Sequence, residues 1–337
     1  MKKILVTGGL GFIGSHTVVA LQNDGFDVVI IDDLSNSTLS VIDGITAITN
    51  KKPEFIQLDL KNKTAVTDFF TNHKVDGVIH FAASKAVGES VAKPLKYYEN
   101  NINALVYLLQ EMQANKVTNL IFSSSCTVYG QADELPITEN APIKLAESPY
   151  GNTKQIGEEI INDTTKIGDL NAIALRYFNP IGGHDSILIG ELPIGIPQNL
   201  IPYVTQTAAG IRDYLSVFGD DYNTHDGTAV RDYIHVVDLA KAHIIAMKRL
   251  LESNNKSQME FFNIGTGKGS SVLDVIKAFE KANNRKLNYK IKPRRAGDIT
   301  SAYADTSYAN TELGWKSDLT LEDALRSAWL WQEKLQH

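Results

Sequence analysis

Short apolar runs rich in β-branched residues alternate with longer stretches of helical periodicity through the first half of the chain. "KILVTG" (3–8), "DVVIID" (27–32), "EFIQLDL" (54–60), "GVIHFAA" (77–83), "NLIFSSS" (119–125) and "NAIALRYF" (171–178) each read as a buried strand. The stretches 13–24, 64–73, 94–115 and 149–167 read as helices. Such alternation predicts a doubly wound α/β fold, a parallel sheet covered by helices on both faces. After residue 179 the rhythm changes. "NPIGGHDSILIGELPIGIPQN" is rich in Gly and Pro and reads as a loop region. Helices are predicted near 199–210, 237–252, 271–283 and 319–334, with short strands and turns among them. The pattern divides the chain into a Rossmann-type domain over 1–178 and a smaller C-terminal α/β domain over 179–337, with the chain crossing between the lobes more than once.

The 337 residues suffice for one large or two coupled domains, and 43% hydrophobic with 21% charged residues is ordinary for a soluble globular protein. The net charge of -6 and the lack of a basic stripe argue against a nucleic-acid binder. The pair Arg294–Arg295 suits one small anion better. A single cysteine, Cys126, excludes a disulfide framework and a thiolate metal cluster, and fits a reducing compartment. The apolar run after Met1-Lys2-Lys3 is too short for a signal peptide, and no stretch approaches the length of a membrane span, so a cytoplasmic protein is expected. The spacing of His80, His184, His225, His235 and His243 matches no metal site, and "GDDYNTHDG" lacks the order of a calcium loop; no metal is expected.

Two motifs carry chemistry. "TGGLGFIGSH" puts Gly8, Gly11 and Gly14 between the first strand and the first helix. Such glycines allow a tight turn and let phosphate oxygens approach free amides at a helix N-terminus. Asp32 ends the next strand, where a carboxylate can accept hydrogen bonds from ribose hydroxyls and repel a 2′-phosphate. No Lys or Arg stands in "IDDLSN", so NAD is expected rather than NADP. The second motif is "SPYGNTK" (148–154): Ser148 can cap a helix, Pro149 fits its first turn, and Tyr150 and Lys154 share one face. A neighbouring ammonium and an oxidised nicotinamide both favour the phenolate, so a lowered tyrosine pKa is expected. Ser125, at the end of the fifth strand, adds a hydroxyl able to hold a substrate oxygen.

"TGGLGFIG", "SSS" and "YGNTK" together resemble the extended short-chain dehydrogenase/reductase superfamily. Within it, "HFAASKAVGESVAKPLKYYENN", "SSSCTVYG", "LRYFNPIG", "GIPQNLIPY", "RDYIHVVDLA", "NIGTGKGSSVLDV" and "PRRAGD" make the chain similar to the UDP-glucose (UDP-galactose) 4-epimerase family. The resemblance implies an isomerase of carbohydrate metabolism with NAD held by 1–178 and a UDP-sugar by 179–337. Tyr150 would be the base, Lys154 would tune it and hold the nicotinamide ribose, and Ser125 would bridge to the sugar. Phe12, Ile13, Asp32, Asn36, Asp59, Leu60, Phe81, Ala82, Lys85, Asn100 and Phe178 would contact NAD. Asn179, Asn199, Leu200, Ser216, Phe218, Arg231, Arg295 and Asp298 would line the UDP-sugar site. Ala302 stands where sugar-selective members carry a bulky tyrosine, which implies that N-acetylated UDP-sugars are also accepted. The helices at 94–115 and 149–167 imply a homodimer through a four-helix interface. The competing readings are a nucleotide-sugar 4,6-dehydratase or decarboxylase, a dehydrogenase exchanging free NAD, and a non-catalytic NAD-binding regulator. Against the dehydratase, Ser125 is followed by Cys126 and Thr127, not by a carboxylate.

Overall fold

Residues that alternate between the two faces of a strand build two separate cores. The computed structural model describes residues 1–197, 199–295 and 298–336. The first half runs β1 (Lys3–Thr7), α1 (Phe12–Asn23), β2 (Asp27–Asp32), α2 (Ser40–Thr49), β3 (Glu54–Gln57), α3 (Lys63–Asn72), β4 (Gly77–His80), α4 (Val87–Ala92), α5 (Pro94–Tyr98), α6 (Ala104–Ala114), β5 (Asn119–Ser125), α7 (Pro149–Thr165) and β6 (Asn171–Tyr177). The second half runs β7 (Asn179–Ile181), α8 (Leu200–Ala208), β8 (Leu215–Phe218), β9 (Val230–His235), α9 (Val236–Leu251), β10 (Met259–Ile264), β11 (Gly269–Ser271), α10 (Val272–Asn283), β12 (Tyr289–Lys292), β13 (Ser301–Ala302) and α11 (Leu321–Lys334).

Among the described residues, seven parallel strands form the main sheet in the order β10-β6-β5-β4-β1-β2-β3. In β1, Ile4 and Val6 join a core with residues of α1 and α9, while Leu5 joins a second core with residues of α3, α6 and α7. The direction of winding reverses between β1 and β4, so the loops leaving these two strands part and open a crevice at the carboxyl edge.

The stretch predicted as one helix at 94–115 is interrupted. A π-helical turn, Glu99–Asn103, separates α5 from α6. It buries Asn101, whose side chain accepts from the Ser84 amide (2.8 Å) and donates to the Ser84 carbonyl and the Thr153 hydroxyl (both 3.0 Å). That fastens the loop after β4 to α7. The chain also returns to the main sheet late: α9 packs on it and β10 adds its last strand, so 236–264 belongs to the layer built by the first half.

The smaller lobe centres on β9, which pairs with β7 and β13 in parallel and with β11 in antiparallel; β8 and β12 form a parallel pair. Capping boxes start α10 (Ser271, Asp274) and α11 (Thr320, Asp323). His225, Asp226 and Asp274 gather near the first of these, a cluster that sequence spacing does not reveal. Their carboxylates already accept from Ser271, Thr228 and His225, so the group stabilises the start of α10.

Candidate active site

Gly8 leaves β1 with a positive φ of 69°. A Cβ there would meet the Ala82 amide nitrogen at 2.8 Å, and one on Gly14 would meet the Gly8 carbonyl at 2.2 Å. Both clashes are with backbone, so only glycine lets the loop, the start of α1 and the β4 loop approach this closely. Gly11 caps α1 without a side-chain bond, and no acid stands in the first turn. The first amides and the positive end of the helix dipole are thus free to take an anion. Phe12 and Ile13 are partly buried there, and Phe81 packs on His243 at 4.7 Å.

Asp32 is buried, and its carboxylate accepts from the amides of Leu10 (3.1 Å) and Leu34 (3.0 Å) and from Ser37 (2.7 Å). These bonds fix its orientation and leave about one of its four acceptor positions for a ribose hydroxyl. The other predicted cofactor contacts lie on several different elements. Asn36 is exposed, Leu60 is buried in the second core, and Asn100 donates to Asn101 at 3.1 Å. Asp59 is exposed and accepts from the Lys61 amide at 2.9 Å, as a turn residue does. Phe178 packs with Ala302 in a small apolar cluster beyond β6.

Ser125, Tyr150 and Lys154 meet beside this crevice. Ser148 caps α7 by accepting from the Gly151 amide at 3.1 Å, with Pro149 in the first turn, so Tyr150 and Lys154 fall on the face toward β5. Lys154 Nζ donates to the Ser123 carbonyl at 2.6 Å and lies 5.9 Å from the Tyr150 ring centroid. Burial pushes the Tyr150 phenol up to about 12, while a hydrogen bond from Ser125 pulls it down. The lowering expected from sequence counts an oxidised nicotinamide beside the phenol as well as Lys154, and so concerns the site with its cofactor bound. The chain's own residues desolvate the phenolate more than they stabilise it. Lys154 is also moved by burial, down to about 8, with Glu158 opposing.

Glu158 was not foreseen. Its carboxylate accepts from Ser124 Oγ at 2.5 Å and pairs with Arg176 Nε (2.9 Å) and Nη2 (2.7 Å), all buried. Arg176 donates on to Tyr129, which donates to Asn263. This polar bed lies directly beneath the residues that flank Ser125 and Lys154. Its sequence signal was available: Glu158 follows Lys154 by one helical turn.

On the smaller lobe, β8 turns Leu215 and Val217 into the core and leaves Ser216 and Phe218 partly exposed. The Arg295 guanidinium lies 4.8 Å from the Phe218 ring and donates to Asp298 at 3.0 Å; Arg231 Nη2 lies 3.9 Å from the same carboxylate. Ala302 on β13 pairs with Arg231 on β9 and is buried beside Phe178. Asn179 opens β7, and Asn199 and Leu200 start α8. Lys85 Nζ and Asn199 Nδ2 both lie near Glu191 Oε1, at 3.8 and 2.7 Å.

A family described as GDP-mannose 4,6 dehydratase matches residues 5–328. UDP-glucose 4-epimerase of Neisseria meningitidis serogroup B is 48% identical over 332 residues, covering 98% of this chain and 97% of its own. That of Bacillus subtilis is 48% identical over 330 residues, covering 98% of this chain and 96% of its own. The chain belongs to the UDP-glucose 4-epimerase family. Its similarity to solved members is equally complete. The UDP-glucose 4-epimerase of Stenotrophomonas maltophila, with bound NAD and formylated UDP-arabinopyranose, superposes with a TM-score of 0.96 at 46% identity, covering 100% of this chain and 99% of that one. The enzyme from Bifidobacterium longum, in complex with NAD+ and UDP, gives 0.95 at 47%, covering 99% and 98%. Within the epimerase family the broad dehydratase description loses its chemical support here, because no carboxylate follows Ser125.

Proposed function

We infer that this chain inverts C4 of a UDP-hexose with NAD as its cofactor. The carrying observation is the meeting of Ser125, Tyr150 and Lys154 beside a glycine cradle that only backbone can line. When bound, NAD supplies a hydride acceptor at C4 and a positive ring that favours the Tyr150 phenolate. Tyr150 takes the 4-hydroxyl proton, Ser125 orients that oxygen, and Lys154 supplies a fixed cation and a ribose contact. The hydride that the cofactor would take from C4 would return from it to the other face of the 4-keto sugar, and Tyr150 would give the held proton back to the C4 oxygen. Asp32, the α1 amides, Asn36, Asp59, Leu60, Phe81, Ala82, Lys85, Asn100 and Phe178 hold the cofactor. Arg231 and Arg295 meet the diphosphate as cations, and Phe218, beside Arg295, packs against the base.

The alanine at 302 widens the sugar pocket. Tyr303, the neighbour able to refill it, lies against Gly269 on β11, where a Cβ would stand 3.0 Å from its ring. Tyr303 follows the two-residue β13 with its ring on Gly269, while Ala302 is buried against Phe178. Purified protein mixed with UDP-galactose and UDP-GalNAc, without added NAD, should convert both by proton NMR. Conversion of neither overturns the function. The Ala302→Tyr variant should lose about tenfold or more of its UDP-GalNAc turnover, as a clash of about 1.4 kcal/mol requires, and keep UDP-galactose. A variant that keeps N-acetyl turnover overturns the role of Ala302.

The protein acts as a homodimer through α6 and α7. Exposed Val91 and Leu95 extend the apolar surface beside these helices. Light scattering should return twice the mass of one chain; a single-chain mass overturns this.

A further inference from the structure

Lys154 is a buried ammonium without a carboxylate of its own. Its Nζ donates to the Ser123 carbonyl at 2.6 Å, and among the described residues it makes no ion pair. Glu158, one turn along α7, has its oxygens taken up by Ser124 and Arg176. Burying a cation with one acceptor for three donors is unfavourable unless something else faces it. What faces it is Phe122 on β5. The ring centroid lies 4.9 Å from Nζ, inside the range over which the negative face of an aromatic ring attracts a cation.

Several elements build the seat of that ring. Phe122 is 3% exposed and reaches Gly157 on α7, where a Cβ would stand 2.8 Å from Cζ and 3.3 Å from Cε1. Gly157 follows Lys154 by three residues and shares its side of the helix. Glycine weakens a helix interior, but here it leaves the room that the ring needs beside the lysine. His80, at the end of β4, stacks on the same ring at 6.1 Å and 16°. It is hydrogen-bonded to Thr7 at 2.8 Å, and burial lowers it to about 3, so it stays neutral and adds no second cation. The other titratable groups around Lys154 are Tyr150 and Glu158 on α7 and Tyr177 on β6, which is bonded to Ser123 and held protonated by burial.

We propose that Phe122 is a positioning residue whose ring face holds the Lys154 ammonium charged and in place without cancelling the charge that Tyr150 needs. A carboxylate there would also hold the cation, but would neutralise its field at the phenol. A ring carries no net charge, and its quadrupole acts only at short range. Leucine would suit the apolar core around Phe122 equally well, yet would offer no negative face. The proposal rests on the reading of Tyr150 as the base.

The test replaces Phe122 in the NAD-bound protein by mono-, di- and trifluorinated phenylalanine, which keep the shape of the ring while draining its face, and separately makes Phe122→Leu. Two readouts follow each protein. One is the pH at which kcat/KM for UDP-galactose stops rising. The other is the titration of Lys154 by NMR of carbon-labelled lysine, its resonance identified by its loss in Lys154→Met. Both should move down step by step with fluorination. They should reach about one pH unit, a roughly tenfold loss of proton affinity, in the trifluorinated protein and in Phe122→Leu. The melting temperature should hold across the fluorinated series, because shape is conserved. A Lys154 titration that stays in place across that series overturns the proposal, whatever Phe122→Leu does, since a ring that only fills space would leave it there. A parent protein that converts no UDP-galactose overturns the base reading instead, while the NMR titration still measures what the ring does to Lys154.

Discussion

Replacing Tyr150 by phenylalanine is expected to lower kcat by about 10³-fold, the range for losing a positioned general base, while KM moves by less than about threefold. Phenylalanine fills nearly the same volume, so the loss falls on the proton transfer. The demand on that hydroxyl is large. Burial has pushed it up to about 12. Bringing it near neutrality takes about 7 kcal/mol, at about 1.4 per pKa unit. A positive charge near the phenol contributes roughly 3 kcal/mol at about 5 Å and an effective dielectric of 20, so the ring of bound NAD would supply a large part of that need. Lys154 Nζ already stands 5.9 Å from the ring centroid. In the parent enzyme kcat/KM should therefore rise with pH as the phenolate fraction grows. The rise ends where Lys154, lowered by burial to about 8, gives up its proton and its charge. Tyr150→Phe should abolish the rising limb. A pH–rate profile for both proteins checks this, and a variant that keeps a tenth of the activity with the same limb would remove Tyr150 as the base.

That pKa also marks how far a local pattern carries. Motif reading located Tyr150, Lys154 and Ser125, because a capped helix with i, i+4 spacing has one geometry wherever it occurs. It carries no measure of the burial that raises the phenol in the chain alone, because desolvation depends on the mass packed around the hydroxyl, which no local pattern encodes. The six strands of the first half were legible from their apolar runs. The π-helical turn at 99–103 was not, because helical periodicity over 94–115 persists across it; what breaks the helix is Asn101 reaching Ser84 and Thr153, both distant in sequence. β10 was missed for a related reason: "MEFFNI" is a strand because β6 offers it an edge. Phe218 illustrates the opposite case. Beside Leu215 and Val217 it reads equally as core or as ligand platform, and only the alternation along β8 turns it outward.

Glu158→Ala is expected to destabilise the protein by about 3–5 kcal/mol, because removing one partner of a buried pair leaves the other charge uncompensated. The side chains of Arg176 and Glu158 are only 6% and 8% exposed. With the carboxylate gone, Arg176 keeps Tyr129 and the Glu139 carbonyl, neither of which carries a balancing charge, and Ser124 loses its acceptor. For a chain of 337 residues the melting temperature should fall by about 4–8 °C, from an unfolding entropy of about 2 cal/mol/K per residue. The double variant Glu158→Met/Arg176→Met should recover much of the loss, since apolar side chains of similar volume replace a desolvated pair at little net cost. A calorimetric cycle over the three variants measures this, and a single variant within about 1 kcal/mol of the parent would show that the pair is solvated in solution. The bed does more than hold the fold. Glu158 counters the burial that drives protons off Lys154, so its loss also lowers the pH at which the ammonium disappears. Any residual activity of Glu158→Ala should therefore fall off at lower pH than in the parent, a shift that simple unfolding at constant temperature would not produce.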